Sequence, residues 1–183
     1  MKKIIKFLTL LLLVSTLSFG AKISGIDMRD TLQNGLILNG AGVRSKFFFD
    51  LYVGGLYLKQ ESSDASRIIN KNEPMAIKLH ITSSLITSKK MIDATMEGFE
   101  NSTKNNIKPL KKQIDKFVNV FKKEIKDGDI YDFIYTPQNG VKIYKNSKFI
   151  TSIKGLEFKK ALFGIWLCDK PAQKSLKKEM LGT

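Results

Sequence analysis

Two glycine-rich stretches near the start of the chain decide its fold. The first reads Asn-Gly-Ala-Gly-Val-Arg over residues 39–44, and the second reads Leu-Tyr-Val-Gly-Gly-Leu-Tyr-Leu over residues 51–58. Asparagine and small glycine-rich sequences favour tight turns, so residues 39–42 predict a turn that leads into Arg44. The second stretch has the aromatic and β-branched composition of a strand.

The predicted strand is long and contains a glycine pair. Residues 47–58 are aromatic, β-branched or apolar over most of their length and predict one strand. Glycines inside a strand usually mark a bulge or a close approach of backbone or ligand. Gly54 and Gly55 therefore predict that this strand bends across another group.

The segment before the glycine-rich stretches predicts a β-hairpin. Residues 22–28 alternate between apolar and polar side chains, and residues 36–38 repeat the β signal after Asn34-Gly35. Such alternation is typical of a half-buried strand, and Asn-Gly is a favoured hairpin turn.

The segment after the predicted long strand contains a helix and a further strand. Residues 62–70 predict a short helix that Ser63 or Asp64 caps, and Pro74 ends the connection. Residues 75–83 alternate apolar and polar side chains and predict a half-buried strand.

Two helices form the middle of the chain. Apolar residues three and four apart over residues 92–99 predict the first, and the same spacing over residues 107–125 predicts the second. Lysines line the opposite side of the second helix, so it is suited to an anionic membrane surface. We favour packing of its apolar stripe on the sheet, because a domain of this size needs that stripe for its core.

The rest of the chain predicts an antiparallel meander followed by helices. Residues 130–135, 141–144 and 149–153 carry three β signals separated by turn residues. A helix over residues 155–167 follows, and another begins at Pro171 and ends at Gly182. Strands on both sides of a helical middle predict an α+β fold.

The first twenty residues have the pattern of a signal peptide. Residues 1–6 carry three lysines, residues 7–17 are apolar except for small hydroxyl residues, and residues 18–20 place small side chains at the −3 and −1 positions of a cleavage site. The alternative is a retained membrane anchor, but this apolar run is shorter than the roughly 20 residues of a span. We therefore expect residues 1–20 to be removed, residues 21–183 to form one domain, and the product to be periplasmic or secreted.

Composition excludes several classes of function. The chain has 31 basic and 17 acidic residues, a net charge of +14, but its lysines are spread out and no nucleic-acid-binding motif is present, so we expect no nucleic-acid partner. Cys168 is the only cysteine and His80 the only histidine, which leaves no internal disulfide and no recognisable metal-ligand spacing. His80 lies in a strand-like run and is interpreted as structural or surface-exposed. We expect no cofactor and no metal.

Two blocks of sequence resemble the chalcone isomerase superfamily. Residues 39–44 followed by 51–58 are similar to its Gly-Ala-Gly-x-Arg turn and the long strand after it. Residues 158–171, with Leu-Lys-Lys at 176–178, resemble the ending of the bacterial chalcone isomerase-like branch. The resemblance covers residues 21–183 and implies an open-faced sandwich, in which helices cover one face of an antiparallel sheet.

The resemblance also allows the catalytic positions of the plant enzymes to be compared with this chain. Plant chalcone isomerases use the turn arginine, a threonine on the long strand and a tyrosine on a helix to assist addition of a phenolate to an enone. Arg44 matches the arginine, Tyr52 stands at the threonine position, and Asn105 or Asn106 falls at the tyrosine position. Since two of the three positions depart from the pattern, we expect no catalytic residues of this type.

Fatty-acid-binding members of the superfamily imply a different site. They pair the turn arginine with a strand tyrosine around a carboxylate, and Arg44 with Tyr52 has that pattern, while Gly54 and Gly55 are expected to leave room for the ligand. Arginine suits this role because its guanidinium stays charged and offers several fixed donors. Without the resemblance, Arg44 reads equally well as a surface ion-pair partner and Tyr52 as ordinary core.

We therefore expect an exported, non-catalytic binder of a fatty acid or another apolar anion, in a cleft between sheet and helices. The alternative is an isomerase or intramolecular lyase of the chalcone isomerase type with an unknown substrate. A third interpretation is a structural or partner-binding module. The sequence leaves the oligomeric state and a peripheral membrane contact open.

Overall fold

The fold is described from a computed structural model that covers residues 21–29, 31–32 and 35–183. The signal peptide predicted over residues 1–20 lies outside these residues. The first described elements are two three-residue strands, β1 (Ala21–Ile23) and β2 (Ile26–Met28), which pair with each other and with no other described strand. The predicted pairing of residues 22–28 with 36–38 is therefore wrong, because the chain already reverses at Ser24 and Gly25, which both have positive φ.

A six-stranded antiparallel sheet forms the centre of the domain. Each strand pairs with the next one along the chain, in the order β3 (Ile37–Lys46), β4 (Phe49–Leu58), β5 (Met75–Ile81), β6 (Ile130–Thr136), β7 (Gly140–Lys145) and β8 (Lys148–Ile153). The last four strands agree with the predicted β signals to within two residues at each end. The alternation of apolar and polar side chains made them recognisable.

Helices cover one face of this sheet. They are α1 (Ala65–Asn70), α2 (Ser88–Ser102), α3 (Lys111–Val118), α4 (Leu156–Leu167) and α5 (Lys174–Met180). The Asp64 side chain caps α1, as one of the two predicted caps, by accepting a hydrogen bond from the backbone N–H of Arg67. None of the helices in the described part of the chain has the length and hydropathy that a membrane span requires.

The second predicted amphipathic helix is shorter than expected. Residues 107–125 contain α3, flanked by 3₁₀ turns at Lys108–Leu110 and Asn119–Phe121, and no regular helix continues to residue 125. Its apolar stripe packs into the core, with Ile114 and Phe117 each 1% exposed. This confirms the interpretation that the stripe serves the core of the domain.

The core lies between the helices and the sheet. Phe117 is its centre, with ring contacts to Phe99, Phe121, Phe133 and Phe158 at centroid distances of 5.3–6.0 Å. A smaller apolar cluster on the opposite face of the sheet is built from the β1–β2 hairpin and the first strands. The α+β fold predicted from the sequence is confirmed, and the second face of the sheet is partly covered by that hairpin.

The glycine-rich stretch is strand rather than turn. Residues 39–42, predicted as a turn, lie inside β3, and the chain instead reverses at Phe47 and Phe48. The prediction of one strand over residues 47–58 is correspondingly wrong at its start. Residues 39–42 have turn composition for another reason: the C-terminal segment packs directly against Gly40 and Gly42.

A buried lysine ties α4 to α1. Lys159 is fully buried, and its Nζ donates hydrogen bonds to the carbonyl oxygens of Ile68, Ile69 and Lys71 at 2.7, 2.7 and 2.8 Å. These carbonyls belong to the C-terminal end of α1, where backbone acceptors lack helical partners and a cation is favourable. Burial, reinforced by the charge of Lys160, lowers the pKa of Lys159 to about 8.

Candidate functional site

Arg44 and Tyr52 are direct neighbours across two strands. Arg44 on β3 lies opposite Tyr52 on β4 in the antiparallel register. Residues directly opposite each other in an antiparallel pair point to the same face of the sheet, with their Cβ atoms roughly 5 Å apart. Tyr52 belongs to the core beneath the helices, so both side chains are on the helix-covered face. The structure therefore brings together the two polar residues that were predicted to form the site.

Tyr52 is a buried, neutral phenol. Its side chain is 8% exposed, and its hydroxyl oxygen accepts a hydrogen bond of 3.0 Å from Nε1 of Trp166 on α4. Burial raises the pKa of Tyr52, and the Trp166 bond and the positive charge of Arg44 offset this only in part. The phenol keeps its own proton and donates it to none of the described residues, so one hydrogen-bond donor remains for a ligand.

Arg44 is a half-buried cation with unused donors. Its Nη1 donates to the Ser45 carbonyl oxygen at 2.7 Å and to Oε1 of Gln173 at 2.8 Å. Within the described ranges it forms no ion pair, and its Nε and Nη2 atoms make no hydrogen bond to protein. A guanidinium with free nitrogens beside a neutral phenol is chemically suited to an oxyanion.

The C-terminal segment covers the open edge of β3 next to this pair. Oε1 of Gln173 accepts from the backbone N–H of Ser45 at 2.9 Å, and Nε2 donates to the Val43 carbonyl at 3.2 Å. Oε2 of Glu179 accepts from the backbone N–H of Val43 at 3.2 Å. These side chains take the place of a neighbouring strand, and they protect an edge that would otherwise present unpaired backbone groups.

Gly54 and Gly55 lie on opposite faces of β4. A Cβ atom on Gly54 would come within 2.7 Å of Met180 Cε, and one on Gly55 would collide with Met28 Cε. The pairing of β4 with its neighbours has no register shift at these glycines, so the predicted bulge is absent. The groups that come close to the glycines are two methionine side chains, and not the backbone or ligand that was predicted. That the glycines leave room for a ligand stays a prediction, and a ligand beside Gly54 takes the place of the Met180 side chain.

Three other features of the described residues bear on where a site could lie. Asn105 and Asn106, which the family resemblance matches to the tyrosine of the plant enzymes, are exposed after the end of α2. The described residues contain no group of three or more His, Cys, Asp or Glu side chains placed to hold a metal ion. Two surface pockets of about 480 and 450 Å³ lie elsewhere, beside Gln113 and beside Ile86.

Sequence reasoning missed the residues that hold the pair in place. The helix predicted over residues 155–167 contains Trp166, but no site prediction includes Trp166, Gln173 or Glu179. A signal existed for Trp166 alone, because a buried indole N–H needs an acceptor. The other two act through the position of α5 on β3, which no local pattern shows.

Comparisons with known proteins agree with this architecture. The described fold is similar to the crystal structure of a fatty-acid binding protein of Arabidopsis thaliana, with a TM-score of 0.70, 15% sequence identity, and coverage of 86% of this chain and 92% of that one. No curated protein matches the sequence. The family model described as chalcone isomerase-like matches residues 20–182. The chain therefore belongs to the chalcone isomerase-like family.

Proposed function

We propose that this chain is an exported, non-catalytic protein that binds a long-chain fatty acid or a similar apolar anion at Arg44 and Tyr52. The observation that carries the proposal is the direct cross-strand pairing of a guanidinium with a buried phenol on the helix-covered face of the sheet.

The polar end of the site suits a carboxylate. One carboxylate oxygen accepts from the free nitrogens of Arg44, and the phenol proton of Tyr52 is available to the other. Trp166 donates to the Tyr52 oxygen, which polarises the phenol and strengthens the bond that its proton makes. Hydrogen bonds of this charge-assisted kind are roughly twice as strong as neutral ones.

Ligand binding requires two side chains of the C-terminal segment to move. The Gln173 amide oxygen lies on Nη1 of Arg44, where a carboxylate oxygen would compete with it. Met180 fills the space over Gly54, and its flexible, unbranched side chain is suited to rearrangement. The acyl chain in this proposal runs between β4 and α5 along the apolar core.

Comparison and sequence support the proposal at different levels. The Arabidopsis protein with the similar fold is a fatty-acid binding protein, which makes this ligand class the first to test. The absence of catalysis is supported by Tyr52 and by Asn105 or Asn106 at two of the three positions that the plant enzymes use. Export is supported by the lysines, apolar run and small residues within residues 1–20.

Calorimetric titration of the protein spanning residues 21–183 tests the proposal. Saturated fatty acids of increasing length, below their micelle concentrations, are compared with the alcohols of the same chain length. The proposal predicts saturable binding of the acids and much weaker binding of the alcohols, since only the acids carry an oxyanion for Arg44. Absence of saturable binding, or equal affinity for acid and alcohol, contradicts it.

A further inference from the structure

Three consecutive phenylalanines are exposed at the tip of the β3–β4 hairpin. Phe47 is 87% exposed, Phe48 is 100% exposed and Phe49 is 56% exposed. Phe47 and Phe48 form the turn itself, and Lys46 pairs with Phe49 across its base. Scattered single apolar residues are normal on a protein surface, but a contiguous group of large aromatics marks an interaction site.

The hairpin tip projects beyond the rest of the sheet. The register of β5 with β4 ends at Ile81, opposite Tyr52, and one more backbone bond runs from the Thr82 N–H to the Leu51 carbonyl oxygen. Phe49 lies two residues from Leu51 toward the turn, which corresponds to about 7 Å of extended strand, and the turn lies beyond it. The rings at the tip can therefore enter an apolar layer outside the protein without a clash with the neighbouring strand.

The backbone of the tip is unfavourable for an aromatic residue. Phe47 has φ of +57°, in the left-handed region that glycine or asparagine adopts at little cost and that bulky residues rarely occupy. An exposed ring at this position contributes nothing to the core and strains the turn. The strained backbone of Phe47 and the exposure of its ring together indicate that the ring has a function other than stabilising the fold.

The chain segments that meet at the base of the hairpin carry four basic and three acidic side chains. Gln173 bonds to Val43 and Ser45, so the polar segment on either side of Gln173 reaches this base. The basic residues here are Arg44, Lys46, Lys170 and Lys174, none of which forms an ion pair with any residue that the structure describes. The acids are Asp50, Asp169 and Glu179: the hydroxyls of Ser24 and Ser45 donate to the Asp50 carboxylate, and the backbone N–H of Val43 donates to that of Glu179. The whole chain carries +14.

We propose that the hairpin tip docks on a membrane that contains anionic lipids. The rings of Phe47 and Phe48 enter the boundary between headgroups and acyl chains. Lys46, Lys170 and Lys174 contact lipid phosphates, and Arg44 belongs to the fatty-acid site. Apolar insertion and electrostatic attraction are each weak alone and sufficient together for reversible binding. The hairpin tip, and not the helix predicted over residues 107–125, is the proposed membrane contact, because the apolar stripe of that segment is buried. Docking of the tip does not depend on fatty-acid binding.

Flotation of the protein spanning residues 21–183 with lipid vesicles tests the proposal. Vesicles of phosphatidylcholine mixed with phosphatidylglycerol are expected to carry the protein, and vesicles of phosphatidylcholine alone to carry much less. Added salt is expected to release it, because it screens the exposed charges. The double variant Phe47→Asn/Phe48→Ser is expected to lower the partition coefficient by at least about tenfold. Asparagine tolerates the left-handed backbone, so this variant should melt no lower than the wild type.

Two matched controls separate docking from general stickiness. Phe149→Ser removes a ring that is 57% exposed on β8, at the other edge of the sheet, and should leave vesicle binding unchanged. Lys46→Glu should weaken binding to the anionic vesicles, whereas the same change at exposed Lys59, which follows the opposite end of β4, should not. In a fatty-acid titration without vesicles, the double variant should keep the affinity of the wild type. Failure of the docking proposal is then distinguished from failure of the fatty-acid proposal.

Several results overturn the docking proposal. One is that the wild type fails to float with anionic vesicles. Another is that the tip variant floats as well as the wild type, and a third is that Phe149→Ser loses as much binding as the tip variant. The tip serves self-association instead if the wild type does not bind vesicles and sediments as a dimer, while the tip variant sediments as a monomer.

Discussion

The indole N–H of Trp166 donates a 3.0 Å hydrogen bond to the Tyr52 hydroxyl and so joins α4 to β4 within the core. Both side chains are at most 8% exposed. The bond fixes the phenol from the side of the helices, while Arg44 lies beside it on the next strand. The geometry of the proposed carboxylate site therefore depends on the packing of the last long helix.

Tyr52→Phe is expected to lower the free energy of unfolding by about 1–3 kcal/mol, because it leaves the buried Trp166 N–H without an acceptor. Urea denaturation measures the change. The same substitution in a Trp166→Phe background is the control, since the donor is then already absent and the cost should be smaller. Equal costs in both backgrounds contradict a stabilising bond between the two residues.

Gly40→Ala is expected to destabilise the domain by about 3 kcal/mol, because a Cβ atom there collides with the backbone carbonyl of Glu179. Gly128→Ala is the matched control. A Cβ atom on Gly128 meets nothing within 4 Å, and only its φ of +83° opposes the change, at about 1 kcal/mol. If thermal unfolding shows the two variants to be equally stable, the close packing of α5 on β3 is wrong.

Lys159 is expected to make stability depend on pH above neutrality. Its pKa in the folded protein is lowered from 10.5 to about 8, so between these values the unfolded chain binds more protons than the folded one. The free energy of unfolding then rises with pH, by at most about 1.4 kcal/mol per pH unit. The contribution is fully present above pH 10.5 and is lost as the pH falls through 8.

The measurement for Lys159 is a difference between two proteins. Urea denaturation of the wild type and of Lys159→Met at several pH values between 8 and 10.5 cancels the titration of the other lysines and the tyrosines. The wild type should gain stability relative to the variant across this window. A difference that stays flat or falls as the pH rises contradicts the lowered pKa.

The sequence predicts the elements whose side chains alternate or repeat locally. β5 and β6 follow their apolar alternation, and the cap of α1 at Asp64 follows from its position before an apolar helical pattern. The turn at Phe47 and Phe48 was missed because neither residue is a turn former.

The rest of the site depends on contacts that the local sequence does not contain. Gly40 and Gly42 resemble turn glycines, but their small size is required by α5, which comes from the far end of the chain. Arg44 and Tyr52 were identified from the family resemblance, and their pairing across two strands follows from the register of β3 and β4. Trp166 and Gln173 could not be linked to them before the positions of α4 and α5 were known.

The most direct test of the central claim is a fatty-acid titration followed through Trp166. This residue is the only tryptophan, and it donates to Tyr52, so its emission reports on the site without a label. The account predicts a saturable change in emission with the wild type and a loss of affinity of about 10- to 150-fold with Arg44→Ala. Arg44→Lys should recover only part of the loss, since an ammonium lacks the planar fork of the guanidinium. Equal affinity of Arg44→Ala and the wild type would show that Arg44 does not hold the carboxylate.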